Sequence, residues 1–209
     1  MSYSITRSVI RSLAPFAALL VTVAGCAPSG SRAAASPTRD AARDLASSSS
    51  SERYSIYDLD ARWHDQRGTA MQLASLRGRP QLLAMIYTHC STTCPFTVAE
   101  MKRIERESPA NVGFVLVSLD PARDDPARLA VFAKERGLDP SRWTLLDGSD
   151  DAVRELATVI GVRYRRISPT ELAHSNALTL LDADGVVVDQ HAGLDAADEI
   201  IDALSRGGR

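Results

Sequence analysis

Apolar residues recur along this 209-residue chain with two periods, and the switches between them mark its elements. Ile56, Leu59 and Trp63 bring in apolar positions just after Tyr54, and the turn-forming run Asp65-Gln66-Arg67-Gly68 follows. The first element is therefore a β-hairpin with its second arm near residues 69–73. A turn at Leu76-Arg77-Gly78-Arg79-Pro80 leads into residues 81–87, whose Leu82, Leu83, Met85 and Ile86 read as a strand buried on both faces. Phe96, Val98, Met101 and Ile104 then fall at helical spacing as far as Arg106 or Glu107, with Pro95 in the first turn and Ser108-Pro109 at the stop. A β-branched run over 112–119 predicts a strand. Asp125 before Pro126 supplies an N-cap and a first helical residue, and Leu129, Val131, Phe132 and Ala133 carry that helix to Gly137.

Strand 143–146, helix 150–160 and strand 162–167 continue the alternation expected of a mainly parallel sheet. Residues 168–176 read as a loop. Ala177 to Leu181 and Val186 to Gln190 flank Asp182-Ala183-Asp184-Gly185, a hairpin signal, and residues 196–204 form a last helix. There is no internal repeat. The fold class is α/β, with an N-terminal hairpin and helices packed on a central sheet.

Composition changes this picture mainly at the two ends of the argument. The length suffices for a self-supporting core. With 24 basic and 26 acidic residues intermixed, there is no basic stripe to neutralise phosphates, which excludes nucleic acid as a partner class. Arg7 and Arg11 precede an apolar stretch, Leu13 to Val23, too short to span a bilayer and of signal-peptide length. It ends in Val23-Ala24-Gly25-Cys26, which resembles the lipobox of bacterial lipoproteins. Residues 1–25 are then a lipoprotein signal peptide and Cys26 the lipidated first mature residue. An ordinary signal peptide or a buried helix leaves unexplained the small residues before that cysteine and the Ser/Ala/Pro tract after it.

Residues 26–53 read as a disordered tether ending in the serine run Ser47 to Ser51, and its end-to-end distance is about 30 Å. The folded domain is 54–209. It would sit outside the cytoplasm on a lipid anchor, facing the periplasm or the cell exterior. Ala27 lacks the aspartate that often retains lipoproteins at the inner membrane.

With Cys26 used as an anchor, Cys90 and Cys94 are the remaining thiols of a chain in an oxidising compartment. They lie four positions apart where a strand turns into a helix. That spacing puts both on one helix face, and the helix N-terminus stabilises thiolates. Such a pair can exchange a disulfide or bind a soft metal. A purely structural disulfide is the weaker explanation, because so short a loop removes little entropy from the unfolded chain.

A strand ending in a cysteine pair that opens a helix resembles the thioredoxin fold, although common thioredoxins place two residues between the thiols and this chain has three. Tyr87-Thr88-His89-Cys90 with Cys94-Pro95, Asp120-Pro121 with Arg123-Asp124, and His174-Ser175 before an Asp-x-Asp-Gly hairpin together resemble the SCO/SenC family of copper-handling proteins. The resemblance runs from about Tyr54 to the end. It implies a thioredoxin-like fold with a central mixed sheet flanked by helices, and copper bound by Cys90, Cys94 and His174. It also implies a metallochaperone for the dinuclear copper site of a respiratory oxidase, with an oxidase subunit or another copper or thiol protein as partner. Ser91, Thr92 and Thr93 are neutral where relatives often carry proline and an acidic residue, and Ala173 stands where an aspartate is frequent.

Two thiolates and an imidazole also make a soft, low-coordinate set suited to Cu(I), whereas zinc ordinarily takes a fourth ligand. His174 sits in the expected loop, from which its ring could swing in and out. His89 reads as a strand-end residue turned away from the thiols, and His64 and His191 as surface or packing residues. Asp125 and Arg123 have structural roles at a helix start, while Asp120 could reach the surroundings of the site. The competing function is a thiol-disulfide oxidoreductase using Cys90 and Cys94. A peroxidase or a non-catalytic scaffold accounts for less of the pattern.

Overall fold

The computed structural model describes residues 54–90, 94–193 and 195–207, which belong to one compact unit, Ser50–Arg209. Cys26, the signal peptide and the tether lie outside the described residues.

The predicted first hairpin forms from β1 (Trp63–Asp65) and β2 (Ala70–Met71), paired antiparallel. Asp65 closes it. Its buried carboxylate accepts from the amides of Arg67 and Thr69, both at 2.9 Å, so the turn's N–H groups are satisfied from within. Next come β3 (Gln81–Ile86), α1 (Cys94–Glu107) and β4 (Gly113–Ser118). Every residue of β3 and β4 is buried, and the two run parallel from Gln81↔Gly113 to Ile86↔Ser118. That explains why both read as continuous apolar runs.

Helix α2 (Pro126–Glu135) starts as its sequence demands, with the Asp125 side chain accepting from Arg128 N at 2.7 Å and proline in the first turn. It leads to β5 (Trp143–Gly148), parallel to β4. The ring of Phe114 stacks on Trp143 with centroids 4.9 Å apart. Gly148 lies against Trp63, and a Cβ there would come within 2.6 Å of the indole. Helix α3 (Asp150–Val159) is capped by Ser149.

The next strand departs from expectation. It is β6 (Tyr164–Arg166), and it does not join the main sheet. Instead β1 pairs antiparallel with β5, which occupies the edge a further parallel strand would need. Strand β6 pairs with β7 (Leu172–His174), a strand within the stretch expected to be a loop. Their register is Tyr164↔His174, Arg165↔Ala173 and Arg166↔Leu172.

Strands β8 (Ala177–Leu181) and β9 (Val187–Ala192) form the predicted last hairpin, around Gly185 at φ +82°. Helix α4 (Ala197–Gly207) packs on α1, where Ala197 N donates to Glu100 Oε1 at 2.9 Å. The seven-stranded order is β2-β1-β5-β4-β3-β8-β9. Only the β3-β4 and β4-β5 pairs are parallel, so the sheet is mixed rather than mainly parallel. The cysteines stand at the carboxyl end of β3, an interior strand between β4 and β8, where α/β folds place their sites.

Candidate metal centre

Strand β3 ends at Ile86, and Tyr87 to Cys90 form a turn in which Cys90 N donates to Tyr87 O at 3.2 Å. Cys94 is the first residue of α1, and its amide points at the Cys90 sulfur, N to Sγ 3.4 Å. A helix N-terminus presents amides that no carbonyl of its own turn can accept from, and they favour negative charge on sulfur. Both cysteines are thiols in this structure and both are buried, Cys90 6% and Cys94 1% exposed. Residues 91–93, between them, are outside the described residues.

The third donor arrives from the β6-β7 ribbon. His174 ends β7, with Nε2 3.8 Å from Cys94 Sγ, and the candidate ligand atoms of Cys90, Cys94 and His174 all lie within 4.8 Å of one another. On its other side His174 Nδ1 is 3.3 Å from Ser175 O. A carbonyl can only accept, so a hydrogen bond here requires the tautomer protonated at Nδ1, the one that leaves the Nε2 lone pair for a metal.

Tyr87 lies between the two halves. It is buried, its hydroxyl donates to Leu172 O at 3.3 Å, and its ring meets His174 edge-on with centroids 5.9 Å apart. Burial first, then hydrogen bonding to Cys90 and the charges of Cys90 and Cys94, push its phenol up to about 12. At neutral pH it is a protonated donor.

The Asp-Pro-Ala-Arg-Asp turn after β4 touches both halves. Asp124 is fully buried and accepts from Thr88 N at 2.9 Å, Thr88 Oγ1 at 2.5 Å and Ser118 Oγ at 2.7 Å, which pins the residue two before Cys90. Arg128 Nε donates to Thr88 Oγ1 at 3.0 Å. Asp120, also fully buried, pairs with Arg123 and with Arg166 of β6, Oδ1 to Nη2 2.8 Å. Burial opposes its charge, yet the hydrogen bonds from Arg166 and Arg123 outweigh that and hold the carboxyl below its ordinary value.

The sequence leaves the role of Asp120 open and does not show the contacts of Asp124, Tyr87 and Arg166. Asp124 follows a buried strand within a charged turn, which was the available signal. Arg166 reaches Asp120 only through the fold, 46 positions away. The remaining histidines stay outside the donor cluster. The ring of His89 lies by Thr88 Oγ1 and Asp124, Nδ1 to Oδ1 3.6 Å, His64 is exposed on β1, and His191 on β9 has Nε2 3.1 Å from Asp189 Oδ1. Asp125 is an N-cap, as expected.

A thioredoxin-like sheet with two thiols and an imidazole converging at the end of an interior strand defines the class of protein. Its family follows from comparison: the SCO1/SenC family model matches residues 56–207, and the chain belongs to the SCO1/SenC family. It is 28% identical over 139 residues to the SCO1 protein homolog of Bacillus subtilis, covering 64% of this chain and 72% of that one. Over further relatives the match spans 56% to 62% of their own length, less than two thirds.

Among solved structures, Bradyrhizobium japonicum ScoI with copper bound superposes with TM-score 0.60 and 27% identity, covering 70% of this chain and 96% of that one. BsSco superposes with TM-score 0.63 and 26% identity over 74% and 94%. It is described as having a disulfide switch and as a member of the Sco family of cytochrome c oxidase assembly proteins.

Proposed function

We propose that this protein is a copper metallochaperone that holds its cargo through Cys90 Sγ, Cys94 Sγ and His174 Nε2. The observation that carries the reading is the convergence of those three donors, two of them buried thiols, within 4.8 Å. Thiolate and imidazole donors suit Cu(I), and three of them leave the coordination low enough for an incoming ligand to attack. Delivery is then ligand exchange: a partner's thiol or imidazole bonds to copper as one of this chain's donors leaves, with no change in oxidation state.

The recipient is the dinuclear copper site of a respiratory oxidase, or the cysteines that build it, a reading supported by kinship with BsSco. Cys26 would carry the lipid, with residues 26–53 as tether and 54–209 as the working domain outside the cytoplasm. No helix of the described residues is long and apolar enough to cross a membrane.

The test is copper titration of the reduced full-length chain carrying Cys26→Ser, which leaves two thiols. One copper per chain is expected, with binding lost or sharply weakened in Cys90→Ala, Cys94→Ala and His174→Ala. Unchanged binding in all three variants overturns the assignment.

Thiol-disulfide exchange is the second reading, favoured by the Cys94 amide directed at Cys90 Sγ, which would stabilise the attacking thiolate. In that reaction the thiolate bonds to one sulfur of a partner disulfide and releases the other, and the second cysteine resolves the mixed disulfide. Cys90→Ser and Cys94→Ser trapping decides it: mixed disulfides in neither variant eliminate the exchange.

A further inference from the structure

Among the described residues, the β6-β7 ribbon that carries His174 has no strand ladder to the main sheet. Antiparallel register puts Tyr164 opposite His174 and Arg166 opposite Leu172, which places these four side chains on one face of the ribbon. On that face Leu172 is buried, and its carbonyl accepts from the Tyr87 hydroxyl. Arg166 reaches from the same face to Asp120 Oδ1 at 2.8 Å. Arg123 pairs with Asp120 Oδ2 and also donates from Nη2 to Thr170 O at 3.0 Å, in the turn joining the two strands.

Asp120 itself is a rigid anchor. Its amide donates to Ser118 Oγ at 3.0 Å, and its carbonyl accepts from the amides of Arg123 and Asp124 at 2.9 and 3.0 Å. One buried carboxylate at the end of β4 thus holds both the far strand and the turn of the ribbon through two guanidinium groups.

We propose that Asp120, Arg123 and Arg166 form an ionic latch that keeps the β6-β7 ribbon closed on the thiols, so that His174 stays within bonding reach of their metal and withdraws when the latch opens. This deepens the copper reading and rests on it. The three are positioning residues, acting through His174 without touching the metal. Arg166 is half-exposed while Asp120 is buried, so the latch opens from the solvent side at Arg166 without disturbing the anchor. The imidazole would leave as the ribbon lifts, as part of a small element moving together rather than as a ring swinging on a loose loop.

The experiment uses Arg166→Gln, a solvent-side change, with Arg166→Lys as the charge-retaining control, in the full-length Cys26→Ser chain. Two readouts are taken: Cu(I) affinity by competition with a chelator, in the native-site and His174→Ala backgrounds, and amide hydrogen exchange over residues 163–175 without metal. Expected are about a tenfold loss of affinity for Arg166→Gln when His174 is present, the usual scale for a residue supporting a ligand, and no further loss when His174 is already alanine. Faster ribbon exchange and partial recovery in Arg166→Lys complete the pattern. An equal loss in both backgrounds, or unchanged exchange and affinity, overturns the latch. If His174→Ala alone leaves affinity unchanged, the assignment of His174 as a ligand fails instead and the latch with it, while metal-free exchange still decides whether Arg166 holds the ribbon.

Discussion

Cys94 opens a helix of 14 residues whose preceding strand lies inside a seven-stranded sheet, paired on both edges, whereas His174 ends a ribbon of two three-residue strands outside that sheet. The two sides of one donor cluster are therefore held by different means. The sulfur side is fixed by a backbone ladder and a buried carboxylate. The imidazole side is fixed by side-chain contacts: Tyr87 to Leu172, Arg166 to Asp120 and Arg123 to Thr170. Ladder-bound strands open with much of the domain, while an element held by a few side chains opens locally at lower free energy. A protein that must keep a metal and also release it gains from such an asymmetry, since the thiols can retain the ion while the imidazole exchanges.

The largest effect should follow from breaking the sulfur side at Asp124. Asp124→Ala leaves the Thr88 amide and the Thr88 and Ser118 hydroxyls without their buried acceptor, at about 1–3 kcal/mol for each group left unsatisfied. A total of about 3 kcal/mol, read as a lower denaturation midpoint, should accompany weakened copper binding because Thr88 sets the path into Cys90. Unaltered stability would show that Thr88 and the cysteine turn do not depend on this carboxylate.

Acid should act next, and on the imidazole side. The Asp120 carboxyl is held below its ordinary value because, although burial raises it, hydrogen bonds from Arg166 of β6 and Arg123 of its own turn dominate. Its contribution is complete above the unfolded value of about 3.9 and is lost as pH falls through the lower folded value. Hydrogen exchange followed down in pH, corrected for the intrinsic rate, should therefore reveal loosening of residues 163–175 only below that ordinary range. Loosening already near neutral pH would remove Asp120 from the account.

The two sides also differed in how far the sequence revealed them. Continuous apolar residues at 82–86, then Cys90, Cys94 and Pro95, fall within one short stretch, so local pattern located the strand, the turn and the helix start. The ribbon left no such trace. Of its six strand residues only Leu172 is buried, too few positions for an alternating period, so local pattern places 162–167 in the main sheet and reads 168–176 as a loop. The edge of β5 belongs to β1, a pairing across most of the domain that no local window contains. Motif resemblance selected His174 without its mounting, and Arg166 gave no local hint of a partner 46 positions earlier.

A smaller change tests the junction itself. Tyr87→Phe keeps the ring against His174 but removes the hydroxyl that Leu172 O accepts from, at about 1 kcal/mol for a typical hydrogen bond. Ribbon exchange should rise modestly, less than in Arg166→Gln, with copper stoichiometry unchanged. A collapse of copper binding would mean that the phenol does more than join the two sides.

The smallest effect is expected at His89, which adjoins Cys90 in sequence and so has the strongest superficial claim to a metal role. Its ring is half-exposed and lies by Thr88 Oγ1 at 3.3 Å and Asp124 Oδ1 at 3.6 Å, outside the cluster formed by Cys90, Cys94 and His174. Asp124 already has the Thr88 and Ser118 donors, so losing the imidazole leaves no buried acceptor stranded. His89→Ala should shift stability by no more than about 0.5 kcal/mol, as for an ordinary exposed position, and leave copper stoichiometry and affinity as they were. A loss of affinity as large as that of His174→Ala would place a second imidazole on the metal and shift the cluster's centre toward the sulfur side, removing the asymmetry between a fixed thiol pair and one detachable histidine.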